Sequence, residues 1–268
     1  MGIQTDVSDE ALVTAIRANL CDFFKLMSRN NPEAQLANGQ FTRWYSQLQH
    51  PWFSGVLSSS PFEAKDDAFI AATIQYFRTQ GAHAFTWWLE PHLKPADWKP
   101  ALSKHGFGFS DDTPGMAVDL QALNESIGTV DGLEVRAVAD EESLRTWARI
   151  FINGYGLPLD WEETVFAEWR KLGLEFPLKT YLGYLNDEPI ATASVFYGGG
   201  AAGIYSVATL PKARGRGIGA AVTLKPLLDA RAMGYRIGVL QSSDMGFNVY
   251  KKLGFRHLCQ IENFYLSL

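Results

Sequence analysis

Cysteine is scarce. The 268 residues hold only Cys21 and Cys259, far apart and in no ligand spacing. That fits a reducing compartment, and the expected location is cytoplasmic. The five histidines (His50, His83, His92, His105, His257) show no metal-ligand pattern either, so no metal site is expected. Positive charge is also short: 24 Lys and Arg against 29 Asp and Glu leave a net charge of −5. A general nucleic-acid binder carries a basic face, so no nucleic-acid partner is expected. The first ten residues already contain Asp6, Asp9 and Glu10, which is unlike a secretory leader. One stretch, Ile190 to Leu210, lacks charge over a span that could cross a bilayer. Gly198, Gly199 and Gly200 break it in the middle, however, and Thr, Ser and Tyr recur on both sides. Two strands joined by a glycine turn account for it better, and no membrane partner is expected.

What is present is a core. The chain is 47% hydrophobic and 20% charged. Its length suits two domains, since domains cluster at roughly 100–150 residues. The pattern restarts near residue 130. LEVRAV (133–138) reads as a strand and Asp140 as the cap of a helix bearing Leu144, Trp147, Ala148 and Phe151. Asp160 and Glu163 form a capping-box pattern for the next helix. TYLGYL (180–185), a turn at Asn186-Asp187 and IATASVFY (190–197) make a hairpin, and GIYSVAT (203–209) is a further strand. A helix then runs to Met233, kinked at Pro226 and stopped at Gly234. RIGVLQ (236–241) is a buried strand. Asp244 caps a short helix ending at Leu253-Gly254, and ENFYLSL (262–268) closes the sheet. The fold class is therefore α/β, a mixed central sheet flanked by helices.

The first half echoes this order at an offset of about 150 residues. PFEAKDD (61–67) lies over PKARGRG (211–217). AFIAATIQYFRTQG (68–81) follows as a helix and HAFTWWLEP (83–91) as a strand. LSKHGFGF (102–109) matches YKKLGFRH (250–257), and MAVDL (116–120) matches the last strand. Two similar tandem domains are expected, 1–128 and 129–268. Together they would make an internal pseudo-dimer, either a monomer or a weak homodimer. The tryptophans Trp44, Trp52, Trp87, Trp88 and Trp98 are expected in the core.

PKARGRGIGAA (211–221) carries the chemistry. Glycines let the backbone take positive φ, and the first turn of a helix offers unpaired amides and a partial positive charge. Together these make an anion cradle suited to phosphate, with Arg214 and Arg216 as added cations. The Gly-Lys-Ser/Thr of a P-loop is missing. Gly215, Gly217 and Ala220 do fit G-x-G-x-x-A, but only about 50 residues follow. The next strand runs into glutamine and serines rather than the acidic residue of a dinucleotide fold.

The stretch Arg214-x-x-Gly217-x-Gly219 resembles the acyl-CoA signature of the GNAT family of N-acyltransferases, and so does VYKKLGF (249–255). The resemblance covers residues 131–268. It implies acetyl-CoA as cosubstrate and transfer of an acetyl group to a primary amine of a small molecule or peptide within a ternary complex. It implies that Val207, Ala208 and Thr209 lie on a splayed strand beside pantetheine. It further implies that the amides of Gly215, Arg216, Gly217, Ile218, Gly219 and Ala220 hold pyrophosphate, and that Tyr250 is the general acid. Ser243 stands where the family often has an asparagine touching pantetheine. The amine also needs a base, and Glu175, Glu188, Asp244 and Glu262 are the candidates. A backbone N–H near Val207 would serve the oxyanion. In the first half, Asp66 and Asp67 replace Arg216 and Gly217. A carboxylate 4 Å from a phosphate charge costs roughly 4 kcal/mol at an effective dielectric near 20, so that copy is expected to be degenerate and to wall the acceptor cleft. A non-catalytic acyl-CoA-sensing module and a nucleotide-dependent oxidoreductase are the competing readings.

Overall fold

The computed structural model describes residues 2–28, 40–48, 50–93 and 95–268. The first part of the chain forms α1 (Asp9–Ser28), β1 (Phe41–Trp44), β2 (Gly55–Ser58), α2 (Asp66–Thr79), β3 (Ala84–Leu89), α3 (Pro95–Lys104) and β4 (Gly108–Asp119). The second part forms β5 (Leu133–Ala137), α4 (Glu141–Tyr155), α5 (Glu162–Leu172), β6 (Leu178–Leu185), β7 (Glu188–Gly198) and β8 (Ala201–Thr209). It continues with α6 (Ile218–Ala232), β9 (Ile237–Gln241), α7 (Asp244–Leu253) and β10 (Arg256–Ser267). This is the mixed α/β architecture read from the sequence. No helix among the described residues is long and apolar enough to cross a membrane.

The chain divides differently from a single break at 128/129. One compact unit comprises Met1–Leu20 with Pro114–Cys259, the other Cys21–Thr113 with Gln260–Leu268. Strand pairing is the reason. The second half of β4 pairs antiparallel with β9, from Gly115↔Gln241 to Asp119↔Ile237. The end of β10 pairs antiparallel with β3, from Asn263↔Trp88 to Ser267↔Ala84. Each unit thus takes one strand from the other half of the sequence. The final strand completes the sheet of the second unit, not the sheet of the segment that precedes it.

In unit one the strand order is β4-β9-β8-β7-β6-β5, with only β8 and β9 parallel. Local chemistry sets most of its boundaries. Asp140 and Ser143 form a reciprocal capping box at the start of α4, and Gly156 (φ +70°) ends it in a left-handed turn. Asn186 and Asp187 take positive φ in the β6–β7 turn, as a tight hairpin requires. Helix α5 departs from expectation: it starts at Glu162, and Asp160 lies in the preceding 3-10 turn, Leu159–Trp161. Glu163 does not close a capping box but pairs with Arg145. Helix α6 runs unbroken past Pro226.

The glycine-rich β7–β8 turn has its cause in α1, which the sequence pattern does not single out. Buried Asn19 donates through Nδ2 to the carbonyls of Phe196 (3.2 Å), Gly198 (2.8 Å) and Ala201 (3.2 Å). Its Oδ1 accepts from the Tyr205 hydroxyl (2.8 Å). The helix approaches so closely that a Cβ at Gly203 would lie 2.0 Å from Asn19 Oδ1, and one at Gly199 2.5 Å from the Asn19 amide.

Unit two has the order β1-β2-β3-β10, with β1–β2 antiparallel and β2–β3 parallel. The antiparallel pair, helix and parallel strand recur in the order of β7, β8, α6 and β9. Its core is aromatic: Trp44, Trp87 and Trp98 are buried, Trp88 is half-buried, and Trp52 is exposed at 54%.

Replacing Asn19 by Ala strands buried carbonyls and should lower the unfolding free energy by about 1–3 kcal/mol. Gly203→Ala, which presses on the same side chain, should cost a similar amount. Chemical denaturation of the double variant should show a loss smaller than the sum, because both changes break one contact. Additive losses would show the two positions to be independent.

Candidate active site

The parallel pairing of β8 with β9 covers only Ala202↔Gly238, Gly203↔Val239 and Ile204↔Leu240. Strand β8 continues to Thr209, whereas β9 ends at Gln241. From Tyr205 onward, then, β8 has no ladder partner on β9, in the stretch where the resemblance leads one to expect Val207, Ala208 and Thr209 to splay. Within the parting segment β8 bulges. Ala208 pairs with Thr192 and Tyr205 with Ser194, so Ser206 and Val207 together face Ala193. Ser206 holds φ at +54°, a conformation that disfavours a side chain. The Thr192 hydroxyl donates to the Ser206 carbonyl at 2.8 Å and pins the bulge. A bulge turns a backbone group out of the ladder, here at the position expected to serve an oxyanion.

Next to the parted strands lies the glycine loop. Gly215 (φ +76°) and Gly217 (φ +81°) need left-handed backbone, and Gly217 is the N-cap of α6. Nothing lies within 4 Å of a Cβ built at Gly215. Arg216, Gly215 and Gly217 are exposed, while the side chains of Ile218 and Ala220 are buried in the core. The loop thus presents backbone, and the amides of Ile218 and Gly219 at the start of α6 precede any carbonyl of their own helix that could take them. Two details differ from expectation. The Ala220 amide already donates to Gly217 O at 3.1 Å. The Arg214 guanidinium donates to the carbonyls of Thr209 (3.1 Å) and Gly154 (2.7 Å).

Tyr250 lies on α7 and is buried. Its ring covers Gly246: a Cβ there would fall 2.6 Å from Tyr250 Cε2. Burial raises the phenol above its ordinary value, and Tyr155 adds to the shift. Tyr155 ends α4 and keeps one edge in solvent at 38% exposure, yet burial pushes its phenol up to about 12. Both phenols therefore hold their protons at neutral pH. Ser243, rather than Asp244, caps α7 and accepts from the Gly246 amide at 3.3 Å. Its hydroxyl is thereby tied to a helix start. Among the base candidates, Glu188 pairs with Lys212, Glu175 and Asp244 are exposed, and Glu262 belongs to unit two. Sequence reasoning passed over Gly246, four residues before Tyr250, and read Gly154 only as part of the Asn153–Gly156 stretch expected to bear on acceptor specificity. A Cβ on Gly154 would lie 2.7 Å from that of Ala208.

Residues 142–255 match the family model described as the acetyltransferase (GNAT) family. This segment is a GNAT domain. No curated protein matches the chain by sequence. A GCN5-related N-acetyltransferase from Kribbella flavida is similar in structure, with 18% identity over 92% of this chain and 95% of its own, and a TM-score of 0.70. One from Sphaerobacter thermophilus shares 16% identity over 85% of this chain and 76% of its own, with a TM-score of 0.61. A tandem GNAT protein from the clavulanic acid biosynthesis pathway shares 12% identity over 80% and 75%, with a TM-score of 0.56. These likenesses establish a GNAT-like fold over most of the chain.

The loop geometry makes a stability prediction. Gly217→Ala forces a side chain into left-handed backbone and should cost about 1–2 kcal/mol. Gly219→Ala, inside the helix where the nearest atom, Thr209 Oγ1, is 3.9 Å away, should be neutral or stabilising. Equal losses in denaturant would contradict the conformational reading of Gly217.

Proposed function

We propose that unit one is an acyl-CoA-dependent N-acetyltransferase that moves an acetyl group from acetyl-CoA directly to a primary amine of a small molecule or peptide. The observation that carries this reading is the parting of β8 from β9 beside a helix start whose glycines present bare amides. The two openings suit the two ends of one cosubstrate. The backbone of Val207 to Thr209 would pair with its pantetheine arm, and the amides of Gly215 to Gly219 would hold its pyrophosphate. Acetyl-CoA supplies an activated acyl carbon and a thiolate leaving group. The bulge at Ser206–Val207 offers a backbone N–H to the negative charge that develops on the acyl oxygen. Tyr250, protonated at neutral pH, holds the proton that the departing sulfur takes.

In unit two the same framework is closed. The parallel pair β2–β3 is bonded to its end, where the Glu90 amide donates to Ser58 O at 3.1 Å. At the start of α2, Asp67 accepts from Lys104 Nζ (3.0 Å) and lies 3.0 Å from His105 Nε2, which holds its carboxyl below the usual range. Asp66 is buried and accepts from the Glu63 amide at 2.8 Å. We read this unit as a second GNAT-like copy that has lost its cosubstrate site.

Calorimetry should therefore count one coenzyme A per chain. At 100 times its dissociation constant, coenzyme A should stabilise the fold by about 2.7 kcal/mol. Two equivalent sites would refute the closed-copy reading, and stabilisation by NAD instead would refute the family chemistry. With an acceptor found by thiol release, Tyr250→Phe should lower turnover by about 10²–10⁴-fold with little change in coenzyme A affinity. The wild-type basic limb should fall above the ordinary phenol value of about 10, because the acid works only while protonated and its loss of the proton is delayed. Coenzyme A binding without thiol release across a broad amine screen would point to a sensing module.

A further inference from the structure

The sequence pattern assigns Arg214 to the anion, but the structure gives its guanidinium two protein carbonyls. Nε donates to Thr209 O at 3.1 Å and Nη2 to Gly154 O at 2.7 Å. Thr209 is the last residue of β8, and Gly154 lies in the last turn of α4. Carbonyls in a last turn lack intrahelical donors and carry the negative end of the helix dipole. A guanidinium placed there is at once donor and counter-charge. The backbone of Arg214 is committed as well, its amide donating to Pro211 O at 3.3 Å. One side chain therefore joins the parting strand, the helix that ends in Tyr155 and the loop that begins at Gly215. The approach of α4 to β8 depends on the missing Cβ of Gly154, which would sit 2.7 Å from that of Ala208. Arg216, two residues on, is exposed and makes no hydrogen bond or ion pair among the described residues.

We propose that Arg214 is a positioning residue: by bonding Thr209 and Gly154 it sets the glycine loop against the end of α4, and it leaves the phosphate charge to Arg216. This rests on the reading that unit one binds coenzyme A. The two bonds use separate nitrogens of a rigid planar fork. Lysine cannot reproduce that arrangement, and glutamine reaches only as far as the first bond.

The test compares Arg214→Ala, Arg214→Gln and Arg216→Gln in the full chain. In free protein, hydrogen exchange is read at Gly156 and Leu157, whose amides bond Asn153 O (3.3 Å) and Ile152 O (3.0 Å). Coenzyme A affinity is measured by calorimetry across a salt series, with kcat and KM where an acceptor is in hand. Arg214→Ala should speed exchange at those amides by about tenfold or more. It should lower kcat by roughly 10–100-fold through misplacement and leave the salt dependence of binding unchanged. Arg214→Gln should fall between Arg214→Ala and wild type. Arg216→Gln should leave exchange unchanged, weaken binding by about tenfold and flatten its salt dependence. The proposal is overturned if Arg214→Gln flattens the salt dependence with exchange unchanged, which would make Arg214 a phosphate ligand. It is equally overturned if Arg214→Ala leaves both exchange and kcat at wild-type values. Should wild-type protein bind no coenzyme A, the acetyltransferase reading fails, while the exchange comparison still decides whether Arg214 braces α4.

Discussion

The site depends on the hydrogen bonds that β8 and β9 stop making after Ile204↔Leu240. Backbone groups released from a ladder inside a protein must find other partners. The surroundings of Tyr205–Thr209 manage this with little side-chain chemistry. Strand β7 keeps its half of the ladder and absorbs the extra residue as a bulge, which Thr192 fixes. Helix α4 closes in over Ala208 because Gly154 has no Cβ, and Arg214 takes up the terminal carbonyl of the strand. In unit two the equivalent pair stays bonded to the end of β2, through Ser58↔Leu89 and the Glu90 amide on Ser58 O.

The two units furnish corresponding helix starts in opposite ways: the residue before α2, Lys65, is right-handed (φ −64°), and the one before α6, Gly217, is left-handed (φ +81°). The first turn of α2 carries two acids, Asp66 and Asp67, the latter paired with Lys104 and His105. A fixed negative charge there satisfies the dipole permanently. The N-terminus of α6 has glycine at the corresponding turn and no acid in its first turn, so its positive end stays available to an outside anion. The difference amounts to a few residues on a common frame.

Most of residues 129–268 was legible in the sequence because their boundaries are set locally. Asp140 with Ser143, the Asn186-Asp187 turn, and the stops at Gly156, Gly234 and Gly254 all act within a few residues. What escaped was set at long range. Helix α1 shows its purpose only when Asn19 is seen filling the β7–β8 turn about 180 positions away. The division into units follows strand partners, which hydrophobic periodicity does not specify. In the candidate site, the glycine loop could be read from its residue types, and Tyr250 from the family resemblance alone. The role of Arg214 could not, because its acceptor at Gly154 lies 60 positions upstream. Beside glycines an arginine reads as an anion ligand until the carbonyls that occupy it are visible.

The chain passes between its units at Leu20/Cys21, Thr113/Pro114 and Cys259/Gln260. This has a consequence for how the molecule is made. Emerging from a ribosome amino end first, residues 21–113 cannot complete their sheet at once, because the strand that pairs with β3 (Asn263↔Trp88 to Ser267↔Ala84) is synthesised long after it. Segment 114–259, in turn, needs α1 to have waited for it, since Asn19 fills a turn formed some 180 residues later. Unit one can close once its own segment 114–259 has emerged, whereas unit two must wait for residues 260–268, so a ribosome that stalls before them leaves the sheet of unit two incomplete.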